Sequence, residues 1–273
     1  MPELPEVETV RCQLERKLLG LSFSAVERTE ATMLRDCTST GLITGLPGRR
    51  IEAVQRHGKF LVMRLDGGVF LTMHLGMTGQ LLLDPTDASA HTRFVFRLSD
   101  GGVGDTVLEF RDIRKFGRVH LTEGAPAPRL TGLGPDAWLG DWDAGYLQAR
   151  LEKRTAPLKA FLLDQRHLAG IGNIYADEIL WWTGLSPLRS SGSLTLSQVG
   201  ALAVEIRRRL GEGVKFLGCS LSDFVDTMGK QGDFQNWLRA YGKQGQTCGR
   251  CGGTFQRVIV GGRGTSYCPG CQL

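Results

Sequence analysis

CGRCGGTFQRVIVGGRGTSYCPGC, residues 248–271, holds two Cys-x-x-Cys pairs, Cys248/Cys251 and Cys268/Cys271, separated by sixteen residues. Four thiolates in two knuckles at this spacing match a tetrahedral structural zinc site. An iron–sulfur cluster is the competitor, but the β-like run from Phe255 to Val260 favours a zinc ribbon. All four positions would be filled by thiolates, leaving no room for substrate, so the metal is expected to hold the fold and do no chemistry. A module this short cannot build a core unaided, which makes the cysteines structurally necessary. Between the knuckles the pattern reads as a hairpin whose tip, Gly261-Gly262-Arg263-Gly264, presents a cation. A guanidinium there suits a phosphate through paired hydrogen bonds, although a solvated turn residue is the plainer reading.

Upstream of the ribbon, the 273-residue chain has 41% hydrophobic residues and a net charge of +5. It can bury a substantial core, and its charge favours a polyanionic partner without making it a nucleic-acid coat. No apolar stretch approaches the roughly 20 residues that span a bilayer, and the start lacks a basic flank and apolar segment, so a cytoplasmic protein is expected. Cys12, Cys37 and Cys219 are scattered and read as free thiols.

Residues 22–122 read as β-structure. The runs 59–65 and 69–75 are joined by Asp66-Gly67-Gly68, and 93–98 is followed by Asp100-Gly101-Gly102. Asp-Gly between apolar runs marks hairpins, and several in succession suggest an antiparallel sandwich or barrel. Residues 123–145 shift to Gly, Pro, Ala and Asp, as an interdomain linker would. Helices are expected over 146–165, 174–183 and 196–210, the last opened by Thr195 and Gln198 at capping-box spacing. Residues 211–234 read as a loop or broken helix, with mobility expected.

The opening, MPELPEVE, carries a second signal. If Met1 is removed, the chain begins with the secondary amine of Pro2, followed by the carboxylate of Glu3. An α-amino group with a pKa of about 7.7–8.0 is partly deprotonated at neutral pH and can act as a nucleophile. Val7, Val10, Leu14 and Leu18 lie on one face of a helix beginning near Pro5, and the partial positive charge at its N-terminus should lower the amine pKa further. Prolines and glutamates also simply begin helices well. Other residues carry the same ambiguity. Lys59 follows Arg56-His57-Gly58 at a strand start. Asn173 ends the turn Ala169-Gly170-Ile171-Gly172 and would serve as an N-cap or a phosphate ligand. Met77 is core packing by default. Arg111–Arg118, RDIRKFGR, offers cations and one ring to a duplex, or is a surface charge run.

Taken jointly, PELPEVETV, RHGKF, HLGMTG, RDIRKFGR, LLDQRHLAGIGNIYADEIL and GGRGTSYCPGC resemble the bacterial formamidopyrimidine-DNA glycosylase family across essentially the whole chain. The resemblance implies an α+β, multidomain fold. It consists of an N-terminal antiparallel β-sandwich flanked by helices (1–135), a helix-two-turns-helix region with a lesion-covering loop (136–234) and a zinc-finger hairpin (239–273). It implies a bifunctional glycosylase and AP lyase that excises oxidised purines from damaged double-stranded DNA through a Schiff base on the N-terminal proline. By motif, Pro2 is the nucleophile, Glu3 the acid–base partner, Lys59 the lysine of β-elimination and Arg263 the finger arginine of phosphate binding and δ-elimination. Met77, Arg114 and Phe116 match the side chains inserted where the damaged base has left. His74, His91, Arg154 and Asn173 fall at DNA-contact positions. Arg154 stands where the family more often has lysine, and Lys159 lies close enough along the same expected helix to share its role. One structural Zn2+ per chain, held by Cys248, Cys251, Cys268 and Cys271, and a monomeric protein are also implied.

The related endonuclease VIII type shares the amine, the turn and the zinc but prefers oxidised pyrimidines, and it typically has glycine in place of Leu4. A zinc-ribbon protein that binds distorted duplex without chemistry fits the charge and the ribbon, but leaves Pro2-Glu3 and Lys59 unexplained.

Overall fold

Helix α1 (Leu4–Leu18) buries Leu4, Val7, Val10, Leu14 and Leu18, the stripe expected from their spacing. Glu3 and Glu6 close its first turn in a reciprocal capping box, with the Glu3 amide donating to Glu6 Oε2 at 2.7 Å. The computed structural model describes residues 1–102 and 104–273. Further elements follow in chain order: β1 (Ser22–Arg28), β2 (Leu34–Arg35), α2 (Ser39–Gly45), β3 (Ile51–His57), β4 (Phe60–Leu65), β5 (Val69–His74), β6 (Gly79–Leu83), β7 (Thr92–Ser99), β8 (Thr106–Asp112) and β9 (Arg118–Glu123). The helical part comprises α3 (Ala144–Leu151), α4 (Leu158–Leu163), α5 (Asn173–Thr183) and α6 (Leu196–Lys215), and the chain closes with the hairpin β10 (Gln256–Val260) and β11 (Arg263–Tyr267).

Two compact units result. The first, Met1–Gly132 with Phe216–Gln235, contains two sheets, ordered β1-β7-β8-β6 and β2-β9-β5-β4-β3. Strand β7 alternates buried and partly exposed residues along its length, sending Phe94 and Phe96 inward. These rings share one core with Phe23 and Phe110 of their own sheet and with Leu61, Met63, Leu71 and Met73 of the other, and α1 contributes Val7, Val10 and Leu14. The first Asp-Gly-Gly is a hairpin loop, with Leu65 paired to Val69 across it.

Of residues 211–234, expected as a loop or broken helix within the helical domain, 211–215 complete α6, and Phe216–Gln235 pack on the sandwich. Phe224 enters its core, the Cys219 amide donates to Glu6 Oε1 at 2.7 Å, and the Leu83 amide donates to the Thr227 carbonyl at 2.8 Å. Gln13 holds Asp226 and Thr227. Buried apolar and polar anchors, not sequence adjacency, decide where this stretch belongs.

The second unit joins Leu133–Lys215 to Asn236–Leu273, so the finger is continuous with the helices. The helix expected over 146–165 is two helices. Lys153 takes a left-handed φ of 60°, and Pro157, which has no N–H to donate, caps α4. Helix α6 opens with the expected box, Thr195 N to Gln198 Oε1 at 3.0 Å and Gln198 N to Thr195 Oγ1 at 3.3 Å, and runs five residues past the expected end at Leu210.

Candidate functional site

In the first unit the head of α1 is buried: Pro2 is covered and Glu3 is only 2% exposed. Glu8, one turn in, pairs with Arg56 at 2.8 Å, and Arg56 donates to the Gly58 carbonyl at 3.0 Å. This buried pair pins the β3–β4 turn, and with it the buried Lys59, against the first turns of α1. His74, at the end of β5, lies across from Phe60 with ring centroids 4.6 Å apart. Burial first, then the charges of Lys59, Arg118 and Arg129, push the His74 imidazole down to about 4. It is therefore neutral at physiological pH. Its Nδ1 accepts from the Gly76 amide at 3.1 Å, which leaves the ring proton on Nε2 as a donor.

Met77, Arg114 and Phe116, distant in sequence, sit on two loops pressed together backbone to backbone. Gly76 has φ 65°, and a Cβ there would lie 2.6 Å from the Gly117 nitrogen and the Phe116 carbonyl carbon. Asp112, fully buried, organises the second loop. It accepts from the Gly117 amide at 2.7 Å, from the Arg114 amide at 3.1 Å and from the Thr78 hydroxyl. The loop so held carries Phe116, 45% exposed, with the Arg114 guanidinium 4.5 Å above its ring. His91 is anchored to the same point, since its carbonyl accepts from the Asp112 amide at 2.9 Å. The run thus holds a flat cation stacked on an exposed ring, the kind of pair that can stack on bases.

In the second unit Gly172, not Asn173, is the N-cap of α5, and Asn173 is its first helical residue. The Asn173 side-chain amide donates to the Gly264 carbonyl at 3.1 Å, on the strand that begins with Arg263. Arg263 itself is exposed and follows the two-residue turn Gly261-Gly262, whose positive φ values of 56° and 72° are those of a tight hairpin. Arg154 is exposed on the α3–α4 connection, and its carbonyl accepts from the Gly192 amide at 2.8 Å. Lys159 cannot share its role: the side chain is 0% exposed and its Nζ lies 2.6 Å from Asp177 Oδ1. The helix break at Pro157 separates the two residues.

The four ribbon cysteines converge, their Sγ atoms all within 4.8 Å of one another. Cys248 and Cys271 are 3.7 Å apart, and Cys251 and Cys268 3.4 Å. A tetrahedron with arms of about 2.3 Å has edges of about 3.8 Å, so the cluster fits one structural zinc. Trp181 shares one buried cluster with Cys248 and Cys268, with Arg250 stacked 4.1 Å from its ring. Trp182, 5.1 Å from Trp181, stacks in turn on Arg209 of α6 at 4.2 Å, tying finger to helix.

Sequence reasoning missed the supporting residues. Asp112, Glu6, the Glu8–Arg56 pair, and Glu178, which gathers the amides of Arg239, Ala240 and Tyr241 at 2.8–3.0 Å, carry no spacing signal. Most of their partners lie tens of residues away or more. The one available hint was acidic residues inside otherwise apolar or buried runs.

Three family models match: Formamidopyrimidine-DNA glycosylase N-terminal domain over residues 1–119, Formamidopyrimidine-DNA glycosylase H2TH domain over 133–225, and a zinc finger found in FPG and IleRS over 245–273. The chain is 41% identical over 276 residues to a formamidopyrimidine-DNA glycosylase of Chloroflexus aggregans, covering 100% of this chain and 99% of the relative. It is 38% identical over 280 residues to one from Bacillus cereus, covering 100% and 99%. Among solved structures, a complex between the Lactococcus lactis Fpg and an abasic site containing DNA matches with TM-score 0.88 and 33% identity over 99% of each chain. The MutM (Fpg) protein from Thermus thermophilus matches with TM-score 0.86 and 41% identity over 99% of this chain and 98% of that one.

Proposed function

The chain belongs to the formamidopyrimidine-DNA glycosylase family, and on that premise we propose that it excises oxidised purines from damaged duplex DNA and then cuts the strand. It is a DNA glycosylase and AP lyase of base-excision repair, with one structural zinc in its finger. It acts as a monomer in the bacterial cytosol.

The damaged nucleotide must leave the stack before its anomeric carbon can be reached, at a cost of a few kcal/mol offset by inserted side chains and phosphate contacts. Met77, Arg114 and Phe116 fill the vacated space. His91 and Arg154 contact the duplex, and Lys59, His74, Asn173 and Arg263 hold phosphates. The Pro2 amine attacks C1′, and the bond to the base breaks with its electron pair leaving on the base. The sugar ring opens to an iminium, with Glu3 moving the proton that the ring oxygen gains. The iminium acidifies the C2′ protons. Loss of one expels the 3′-phosphate, a second elimination expels the 5′-phosphate, and Lys59 and Arg263 serve these steps. Covalent catalysis here divides one difficult step into easier ones.

The observation that carries this reading is the buried head of α1. Removal of Met1 turns the covered Pro2 nitrogen into a secondary amine beside the Glu3 carboxylate, latched through Glu8 and Arg56 to the turn bearing Lys59, an arrangement with no use in a protein that only binds. Borohydride reduction on 8-oxoguanine and abasic duplexes tests it. A preparation whose N-terminus is verified as Pro2 should cross-link covalently, and one retaining Met1, where the nitrogen is an amide, should not. No adduct from the Pro2 form refutes the mechanism, and faster release of thymine glycol than of 8-oxoguanine refutes the substrate class.

A further inference from the structure

Helix α5 and strand β11 meet in register. Asn173 and Asp177, one turn apart on α5, both reach the strand: Asn173 Nδ2 donates to the Gly264 carbonyl at 3.1 Å, and Asp177 Oδ2 accepts from the Ser266 amide at 3.0 Å. Four residues of helix rise about 6 Å and two residues of strand about 6.7 Å, so the two bonds can be made together in one alignment, and a slip of one residue breaks both. Lys159 of α4 closes the arrangement. Its ammonium has three donors, and it meets Asp177 Oδ1 at 2.6 Å, Thr265 Oγ1 at 2.8 Å and the Gly264 carbonyl at 3.3 Å. Asp177 is 2% exposed, Thr265 1% and Lys159 0%, so these three side chains are shut away from solvent and from DNA.

We propose that Asp177 and Lys159 form a register clamp that fixes Arg263, the residue preceding Gly264, level with Asn173 at the start of α5, so that both address one phosphate. This rests on the phosphate-binding roles proposed above for Asn173 and Arg263. Asp177 and Lys159 are positioning residues: they touch neither substrate nor phosphate and act through the finger strand. Their charges neutralise each other inside the unit, so replacing both together by apolar residues of similar size leaves no buried charge uncompensated.

The test is a double-mutant cycle read by binding to duplex containing a tetrahydrofuran abasic analogue. The paired variant Asp177→Leu/Lys159→Met, the variant Arg263→Ala and their combination are compared, with zinc content and thermal midpoint measured on each. The paired variant should keep one zinc per chain and weaken binding about tenfold, and Arg263→Ala should do the same. In combination the two losses should not multiply, because an arginine out of register has little left to lose. In borohydride trapping, the loss should fall on the half-saturating enzyme concentration and not on the plateau. Thr265→Val, which removes one acceptor and keeps the ion pair, should give a smaller loss that also vanishes when Arg263 is absent. Should the paired variant fail to fold, Thr265→Val in the same cycle decides the question. Multiplying losses, or unchanged binding with zinc retained, would overturn the clamp. If wild-type protein neither traps nor binds the abasic duplex, it is the proposed function that fails.

Discussion

At the residue scale, His74 is a histidine that does not behave as a cation. Its folded pKa of about 4 lies below the 6.5 of an unfolded imidazole. Between those values the unfolded chain binds the extra proton, so this stabilisation is fully present above about pH 6.5 and is lost as pH falls toward 4. The shift corresponds to about 3 kcal/mol at most. Urea denaturation of His74→Gln across this range should show a flatter acid limb than wild type, and an unchanged slope would contradict the neutral assignment. Neutrality also separates His74 from its neighbours in DNA binding. Arg263→Ala, which removes a phosphate-holding cation, should lower the slope of log K against log salt by about 1, whereas His74→Gln should weaken binding and leave the slope unchanged, because a neutral donor releases no counterion. The presence of a histidine before Met77 is legible in the sequence. Its protonation state is not, because that depends on burial and on cations drawn from separate strands and loops.

At the element scale, the loops carrying the wedge side chains depend on close backbone approach. Gly76→Ala would force a left-handed alanine whose Cβ sits 2.6 Å from the facing chain, so the loops must part. This should cost about 1–3 kcal/mol by urea denaturation followed with far-UV circular dichroism. Discrimination between abasic and intact duplex should fall more than total affinity, since the charges remain. A full retention of discrimination would show that Met77 and Phe116 need no fixed spacing. Regular elements with a clean period, such as α1 and β7, were readable because burial on one face is written directly into residue spacing. The break between α3 and α4 was not, because the apolar pattern runs across it. Pro157 alone gave notice, and the left-handed Lys153 completes the turn. That break is also why Arg154 is exposed while Lys159 is buried, a distinction helical spacing alone would have missed.

At the scale of the whole molecule, the order of the chain and the order of the units differ. The finger could be read from its cysteines, but its merger with the helical unit through Lys159, Asp177, Glu178 and the Arg250–Trp181–Trp182–Arg209 stack could not, since none of the contacts that join them is local. Residues 216–235 likewise join the first unit through Glu6, Gln13 and Phe224. One consequence can be measured directly. All five tryptophans and all four tyrosines fall in the second unit, so near-ultraviolet fluorescence reports on that unit alone, while far-ultraviolet circular dichroism reports on both. Chelating the zinc removes the constraint on a hairpin too small to hold itself, because metal binding is coupled to local folding. Trp181, which shares a buried cluster with Cys248 and Cys268, should then move into water and its emission should shift to the red. The dichroism of the sandwich, whose core contains none of the four cysteines, should persist. In urea, the chelated protein should lose its fluorescence signal at a lower concentration than its dichroism, the mark of departure from two-state unfolding. Coincident transitions after chelation would mean that the finger's zinc stabilises the chain as a single cooperative body.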